Sequence, residues 1–361
     1  MKTIGINQHR ASESSGYLAV CKLGALIIVF ASGLLSSAAA AQTPAPALQL
    51  SRTIVLAGAD GKFDHLAIDI AGNRLFIAAT TGHAIEVIDL KTDKVQQAIS
   101  GLVKPHGLAW VAATGSLYVS DGSLGELRVY KGTPLALAGT IKLSDDADDM
   151  VYDEAGQLLF VGHGTGDAAN PTKVAVVDTQ HFSLVADLPV ATHPEGLAID
   201  PQSRRVFANI ADSNEIAAID TAGRAVTASW KLTKAADNVP IAFDGEHRLL
   251  YVACRKPGMV IALDAATGKE LSGESAAGGA DDLFYDPALR RVYVISGAGE
   301  VDSYQVDAAK TLHALGVTHT AAGAKTALFV PAQNLLYVGV PGLGEHPAEI
   351  RVYSTSKAEG K

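Results

Sequence analysis

The sequence predicts an all-β fold, a seven-bladed β-propeller closed by its N-terminal strand. Three observations predict it. A short apolar segment returns seven times along the chain, each return brings four strand-like runs, and the two ends of the chain each hold part of one repeat.

The recurring segment is seen in "FDHLAID" (63–69), "KPHGLAW" (104–110), "DADDMVYD" (146–153), "HPEGLAID" (193–200), "DNVPIAFD" (237–244), "GADDLFYD" (279–286) and "GAKTALFV" (323–330). Its opening apolar residues are Leu66, Leu108, Met150, Leu197, Ile241, Leu283 and Leu328, spaced by 42, 42, 47, 44, 42 and 45 residues. A period of 40 to 50 residues is the mark of a repeat architecture. A second run follows in each repeat, such as "RLFIAAT", "SLYVSD" and "RLLYVACR". A third is of the type "AIEVIDL" or "KVAVVDT", and a fourth, more polar, is like "KVQQAIS". These runs are short, rich in β-branched and aromatic residues, and separated by Gly, Asn, Asp and Pro. They read as strands joined by tight turns, and no segment between them has a helical period. The first two runs are almost continuously apolar, which predicts strands covered on both faces, as in a blade packed between two neighbours. The last repeat stops after its third run, and "LQLSRTIVLAG" (48–58) has a fourth-run pattern with no repeat of its own. Joining the two closes the ring and leaves no open end, whereas a linear array would need polar caps.

Residues 1–41 read as a secretory signal: Lys2, Arg10 and Lys22 precede the apolar run Leu23–Leu35, and small residues at Ala39 and Ala41 place a cut before Gln42. The apolar run is too short to span a bilayer, and no later segment is long enough. Residues 42–47, "QTPAPA", read as a flexible lead, and 48–361 as the propeller. Removing the signal takes the formal charge from −9 to −11, an acidic balance that argues against nucleic acid as a partner. It also leaves one cysteine, Cys254, so no internal disulfide is expected. Arg255 and Lys256 beside it would lower its pKa if it were exposed; a buried, inert thiol is the alternative.

The second-run motifs "LYVS", "LYVA", "VYVI" and "LYVG", with "VID", "VVD", "AID" and "ALD" in the third, resemble the YVTN-repeat propellers of the YncE-like family. The resemblance covers residues 48–355 and lacks the Gly-His and Trp-Asp marks of WD40 repeats. It implies an exported bacterial protein, periplasmic or secreted at the cell envelope. The same superfamily neighbourhood includes propeller lactonases and gluconolactonase-like enzymes that use a metal in the central tunnel.

In an up-down four-stranded blade, the link between blades lies on the same face as the loop between strands two and three. The residue two places before each opening apolar residue therefore sits at the channel mouth. These residues are Asp64, His106, Asp148, Glu195, Val239, Asp281 and Thr326, with neighbours His65, Asp149, His193, Asn238, Asp282 and Lys325. The loops after the second runs add Asp121, His163, Asp167, Asn209, Arg255, Lys256 and His346 to that face. Turns such as "IAGN" and "PQSR", on the other face, need only ordinary turn chemistry.

A ring of carboxylates and imidazoles suits one divalent metal ion, with Asp64, His106, Asp148, Glu195 and Asp281 as candidate ligands. The same residue types are common as solvated turns, and the tandem Asp pairs at 148–149 and 281–282 could bond nearby backbone N–H groups. As a binding site, the mouth would use Asp64, His65, His106, Asp149, Glu195, Asn238, Asp282, Arg255 and Lys325. As an enzyme, it would draw on His106, Asp148, Glu195 and His163, the last set among Gly162, Gly164 and Gly166 in an insertion. A metal there would polarise a lactone or ester carbonyl. There is no CxxCH for haem, no phosphate loop for a nucleotide and no nucleophile elbow for a serine hydrolase. The functional expectation is a monomeric binding propeller for a small polar molecule, metal ion or segment of an envelope protein. The alternatives are a metal-dependent lactonase-like hydrolase or lyase, and a structural envelope interaction protein.

Overall fold

The computed structural model describes residues 47–59 and 61–355. The signal segment and all but the last residue of the lead lie outside the described residues. Twenty-eight strands form seven antiparallel four-stranded sheets, and the sole helical element among the described residues is a 3-10 turn at Pro331–Gln333. Six blades are built from consecutive strands. The seventh combines Ala327–Val330, Leu335–Val340 and Glu349–Ser354 with the N-terminal strand Gln49–Val55. Gln49 pairs with Ser354 and Val55 with Glu349, so the start of the chain supplies the outer strand that the last repeat lacks. The closure expected from the sequence is the one observed.

Strand periodicity explains how each blade holds two neighbours. Successive side chains of a strand point to opposite faces. In the second strand of blade 1, Leu75 and Ile77 enter the cluster shared with blade 7, and Phe76 and Ala78 enter the cluster shared with blade 2. An uninterrupted apolar run is thus two interleaved half-faces, each serving a different interface. The described residues form seven hydrophobic clusters, one at each boundary between adjacent blades, including the boundary between blades 7 and 1. A ring has as many interfaces as wedges; a linear array would have one fewer and an apolar face at each end. Fully burying each Leu, Ile, Val or Phe contributes roughly 1.5–3 kcal/mol, so the closing cluster around Ile54, Tyr337 and Ile350 stabilises the ring in the same way as the other six.

The burial gradient differs in one respect from expectation. The second and third strands are the continuously buried ones, as in Arg74–Ala79 and Ala84–Asp89, while the first strand keeps partly exposed residues along the channel. The fourth strand alternates between exposed and half-buried positions, as in Lys94–Ile99 at the rim. No helix among the described residues is long and apolar enough to cross a membrane.

Candidate ligand-binding mouth

A local defect in the ladder creates the mouth. In blade 1, Phe63 pairs with Ala79 and Leu66 with Ile77, so three steps on the inner strand oppose two on its neighbour. The same extra residue occurs at 105–108, 194–197, 238–241 and 280–282. Such a bulge takes its residues out of the ladder and re-aims their side chains, here toward the axis. Blades 3 and 7 reach the same place differently: their inner strands begin only at Met150 and Ala327, leaving Asp148 and Thr326 on the preceding link. Gly107 and Gly196 are needed in two bulges, because a Cβ there would clash with the backbone carbonyls of Asp148 and Val239 in the next blade.

In four blades a side chain at or just past the end of the second strand holds the bulge or link of the following blade. Thr80 donates to the Pro105 carbonyl (2.8 Å), Ser120 to that of Asp148 (2.8 Å), Asn209 to that of Val239 (3.0 Å) and Arg255 Nε to that of Ala280 (3.0 Å). The second Asp of each tandem pair does likewise. Asp149 accepts the Leu197 N–H (2.8 Å), and Asp282 accepts the Ala327 N–H (2.6 Å).

The bulges and links enclose a cavity of about 350 Å³. Its walls carry Asp64, His65, His106, Asp148, Asp149, Glu195, Arg255, Asp281, Asp282 and Lys325, residues hundreds of positions apart in the chain. Below them, the seven apolar residues that open the inner strands, Leu66 through Leu328, also line the cavity. Six of the seven are 4–7 % exposed, so each turns only an edge to the space. The cavity is a charged collar over an aliphatic ring.

His65 is the central cation. Its Nε2 lies 3.6 Å from Asp64 and 3.9 Å from Asp148, and its Nδ1 lies 4.0 Å from Asp149 and 3.7 Å from Asp282. Burial opposes its charge, but Asp149, Asp282, Asp64 and Asp148 outweigh it and hold the pKa up at about 10. His106 Nδ1 sits 3.3 Å from Asp64 and 3.2 Å from Asp148, and these carboxylates likewise overcome burial and raise its pKa. The ring N–H does not point at Asp148: Asp148 Oδ1 and His106 Nε2 are both buried with no hydrogen-bond partner. Burial pushes the Asp148 carboxyl up, yet His106, His193 and His65 prevail and hold it well below the usual range. His193 Nδ1 is 2.9 Å from the Gly164 carbonyl, which turns its Nε2 toward Asp148 Oδ2 at 3.9 Å; Asp148 outweighs burial and its pKa rises to about 9. At Glu195 the nearby His193 and Arg255 charges are outweighed. Burial and the Asp148 charge push its pKa up to about 7. Asp282, also buried, is raised to about 7, and burial raises Asp64 and Asp149.

The other side of the collar is ion-paired. Asp281 binds both the Arg255 guanidinium and the Lys325 ammonium. Burial disfavours the Lys325 charge, but Asp281 and Asp64 raise its pKa.

Among the expected site residues, the structure gathers Asp64, His65, His106, Asp148, Asp149, Glu195, Asp281, Asp282, Arg255 and Lys325 around one cavity. It does not bring His163 or Asn238 there. His163 is buried beneath the link, accepting the Ser144 N–H at Nδ1 (3.1 Å) with Nε2 2.8 Å from Asp187, and burial lowers its pKa despite Asp187. It holds the segment leading to Asp148. Asn238 is buried and donates to Asn209 Oδ1 and the Glu215 carbonyl, both at 2.9 Å. Asp121 accepts the N–H groups of Val103 and Lys104, Asp167 closes its own loop, and Lys256 pairs with Asp237 at the surface. Cys254 is buried, and burial rather than the neighbouring cations sets its thiol, pushed up to about 12. As candidate metal ligands, the atoms of Asp64, His65 and Asp148 lie within 4.8 Å of one another, as do those of Asp148, His193 and Glu195. Of the expected ligands, His106 and Asp281 belong to neither group. His193 had a signal in the sequence, a position on the same inter-blade link as Asp148 and Asp281. The Gly164 carbonyl that orients it comes from the preceding blade and left none.

No family model matches the chain, and no curated protein matches it. Among solved structures, the fold is similar to Kuenenia stuttgartiensis hydrazine synthase, with a TM-score of 0.69 and 17% identity over 79% of this chain and 94% of that one. It is also similar to a chain in the crystal structure of a mitotic checkpoint complex, with a TM-score of 0.71 and 13% identity over 86% and 96% of the two chains. At these identities the likeness shows the fold alone.

Proposed function

We propose that this chain is an exported binding propeller of the YVTN-repeat, YncE-like kind, which takes a small polar ligand at the mouth of its channel in the bacterial envelope. One observation carries the reading. The carboxylates of Asp64, Asp148 and Glu195 line a single cavity, and the buried Asp148 Oδ1 has no hydrogen-bond partner among the described residues. Buried polar groups are ordinarily satisfied, and a largely pre-formed cavity with convergent polar groups is the usual form of a ligand site.

A second reading, a metal-dependent lactonase-like hydrolase, draws on the two His–carboxylate groups that share Asp148. A metal held there would act on a substrate carbonyl as a Lewis acid.

One screen separates them. The mature protein is heated with a panel of small polar metabolites, and lactone hydrolysis is followed with and without EDTA. Binding predicts ligands that raise the melting temperature of the wild type and not of Asp148→Asn, without turnover. EDTA-sensitive turnover would replace the binding reading with the hydrolase. Hits that survive Asp148→Asn would show that the site lies elsewhere.

A further inference from the structure

Taking the mouth as the binding site, we propose that its ligand is a small organic ammonium ion whose N–H groups meet Asp64, Asp148 and Glu195 and whose aliphatic body rests on the ring of apolar residues below. Three features of the cavity select this class.

The first is charge. Six carboxylates line the cavity against at most five cations, counting every imidazole as charged and His193, just behind Asp148, among them. With all six ionised, one further positive charge completes the balance. The second is hydrogen bonding. Arg255 and Lys325 are both engaged by Asp281, so a ligand carboxylate there would have to compete with Asp281 for them. Asp148 Oδ1 is an acceptor without a partner, and Asp64 and Glu195 stand beside it on the same wall. A primary ammonium brings three N–H donors and no acceptor. The third is the floor. A bare metal ion would satisfy the carboxylates and leave the aliphatic ring and most of the 350 Å³ in contact with water. An alkyl chain directed down the axis covers it, and each methylene so buried strengthens binding about fourfold.

The test is calorimetry at pH 8 with ethyl-, butyl- and hexylammonium chloride, the matched carboxylates acetate, butanoate and hexanoate, and calcium and zinc chloride. The ammonium series is expected to bind with affinity rising about fourfold per methylene until the ring is covered. The carboxylates are expected not to bind. Glu195→Gln should weaken hexylammonium at least tenfold, and Asp148→Asn should do so independently, so that misfolding of one variant does not decide the matter. Carboxylates binding as well as amines, amine affinity independent of chain length, or a divalent ion binding where amines do not would each overturn the assignment. If amines fail while another polar compound binds in an Asp148-dependent way, the mouth stands as a binding site and the ammonium assignment falls.

Discussion

The two halves of the mouth are built from the same repeat position but reach opposite states. In blades 5–7, Asp281 is saturated by Arg255 and Lys325, while Val239 and Thr326 carry no charge. In blades 1–4, Asp64, Asp148 and Glu195 stand among His65, His106 and His193, and Asp148 Oδ1 has no hydrogen-bond partner. The lesson is that a carboxylate at the mouth is not in itself a functional group. What its neighbours leave unsatisfied decides whether it clamps the ring or receives a ligand.

The largest expected effect tests the clamp. Asp281→Ala leaves Arg255 and Lys325 without their partner in a half-buried setting. Removing one member of a buried pair costs several kcal/mol, and the remaining exposure of the two cations, 31 % and 35 % of their side chains, reduces this to roughly 2–4 kcal/mol. Urea denaturation should show the loss at neutral pH. A change below about 0.5 kcal/mol would mean that the pair is solvated and that the two halves do not differ as described.

The open half should respond in the opposite direction. Glu195 has an ordinary pKa of 4.5 and is raised by burial and Asp148 to about 7. Between those values the folded chain keeps a proton that the unfolded chain has lost, so stability declines as pH rises from about 4.5 to 7 and stays reduced above it. Glu195→Gln removes that loss. It is expected to stabilise the protein by roughly 1–3 kcal/mol at pH 8 and to be neutral near pH 4.5, where the native side chain is already protonated. Melting curves at the two pH values check this. A destabilised variant at pH 8 would show that Glu195 is well paired and that the open half is not open. A stabilised variant that binds less ligand is the pattern expected where function works against stability.

The fold was legible because its causes are local and repeated. Alternating apolar residues such as Leu75 and Phe76 report two packed faces, and the orphan fourth strand at 49–55 reports closure. The site was legible to the extent that register fixes it: the position two before each opening apolar residue does reach the mouth. Its energetic division was not. That Asp281 is consumed while Asp148 is not depends on Arg255 and Lys325 arriving from blades 5 and 7, and on His106 lying near Asp148 without pointing at it. His163 misled because glycines flank it, yet those glycines allow close backbone packing over a buried ring. Asn238 misled because its bulge turns Val239 and Pro240 to the cavity and leaves the amide behind them. The aliphatic ring was visible only as a set of repeat markers, since its role as a floor appears once the seven residues share an axis.

The smallest expected effect lies at Thr326, the uncharged position of blade 7. Its side chain is buried, lines the closed half, and its Oγ1 has no hydrogen-bond partner. If the closed half is only packing, that hydroxyl is a residual cost, because a buried polar group without a partner keeps its desolvation penalty. Valine has nearly the same shape and no such group, so Thr326→Val should stabilise the protein by up to about 1 kcal/mol, read as a shift in the urea midpoint at constant slope. A loss of more than about 1 kcal/mol would show that the hydroxyl is satisfied by ordered water. The closed half would then hold a polar network of its own, and the boundary between clamp and binding surface would move from Asp281 to the far side of blade 7.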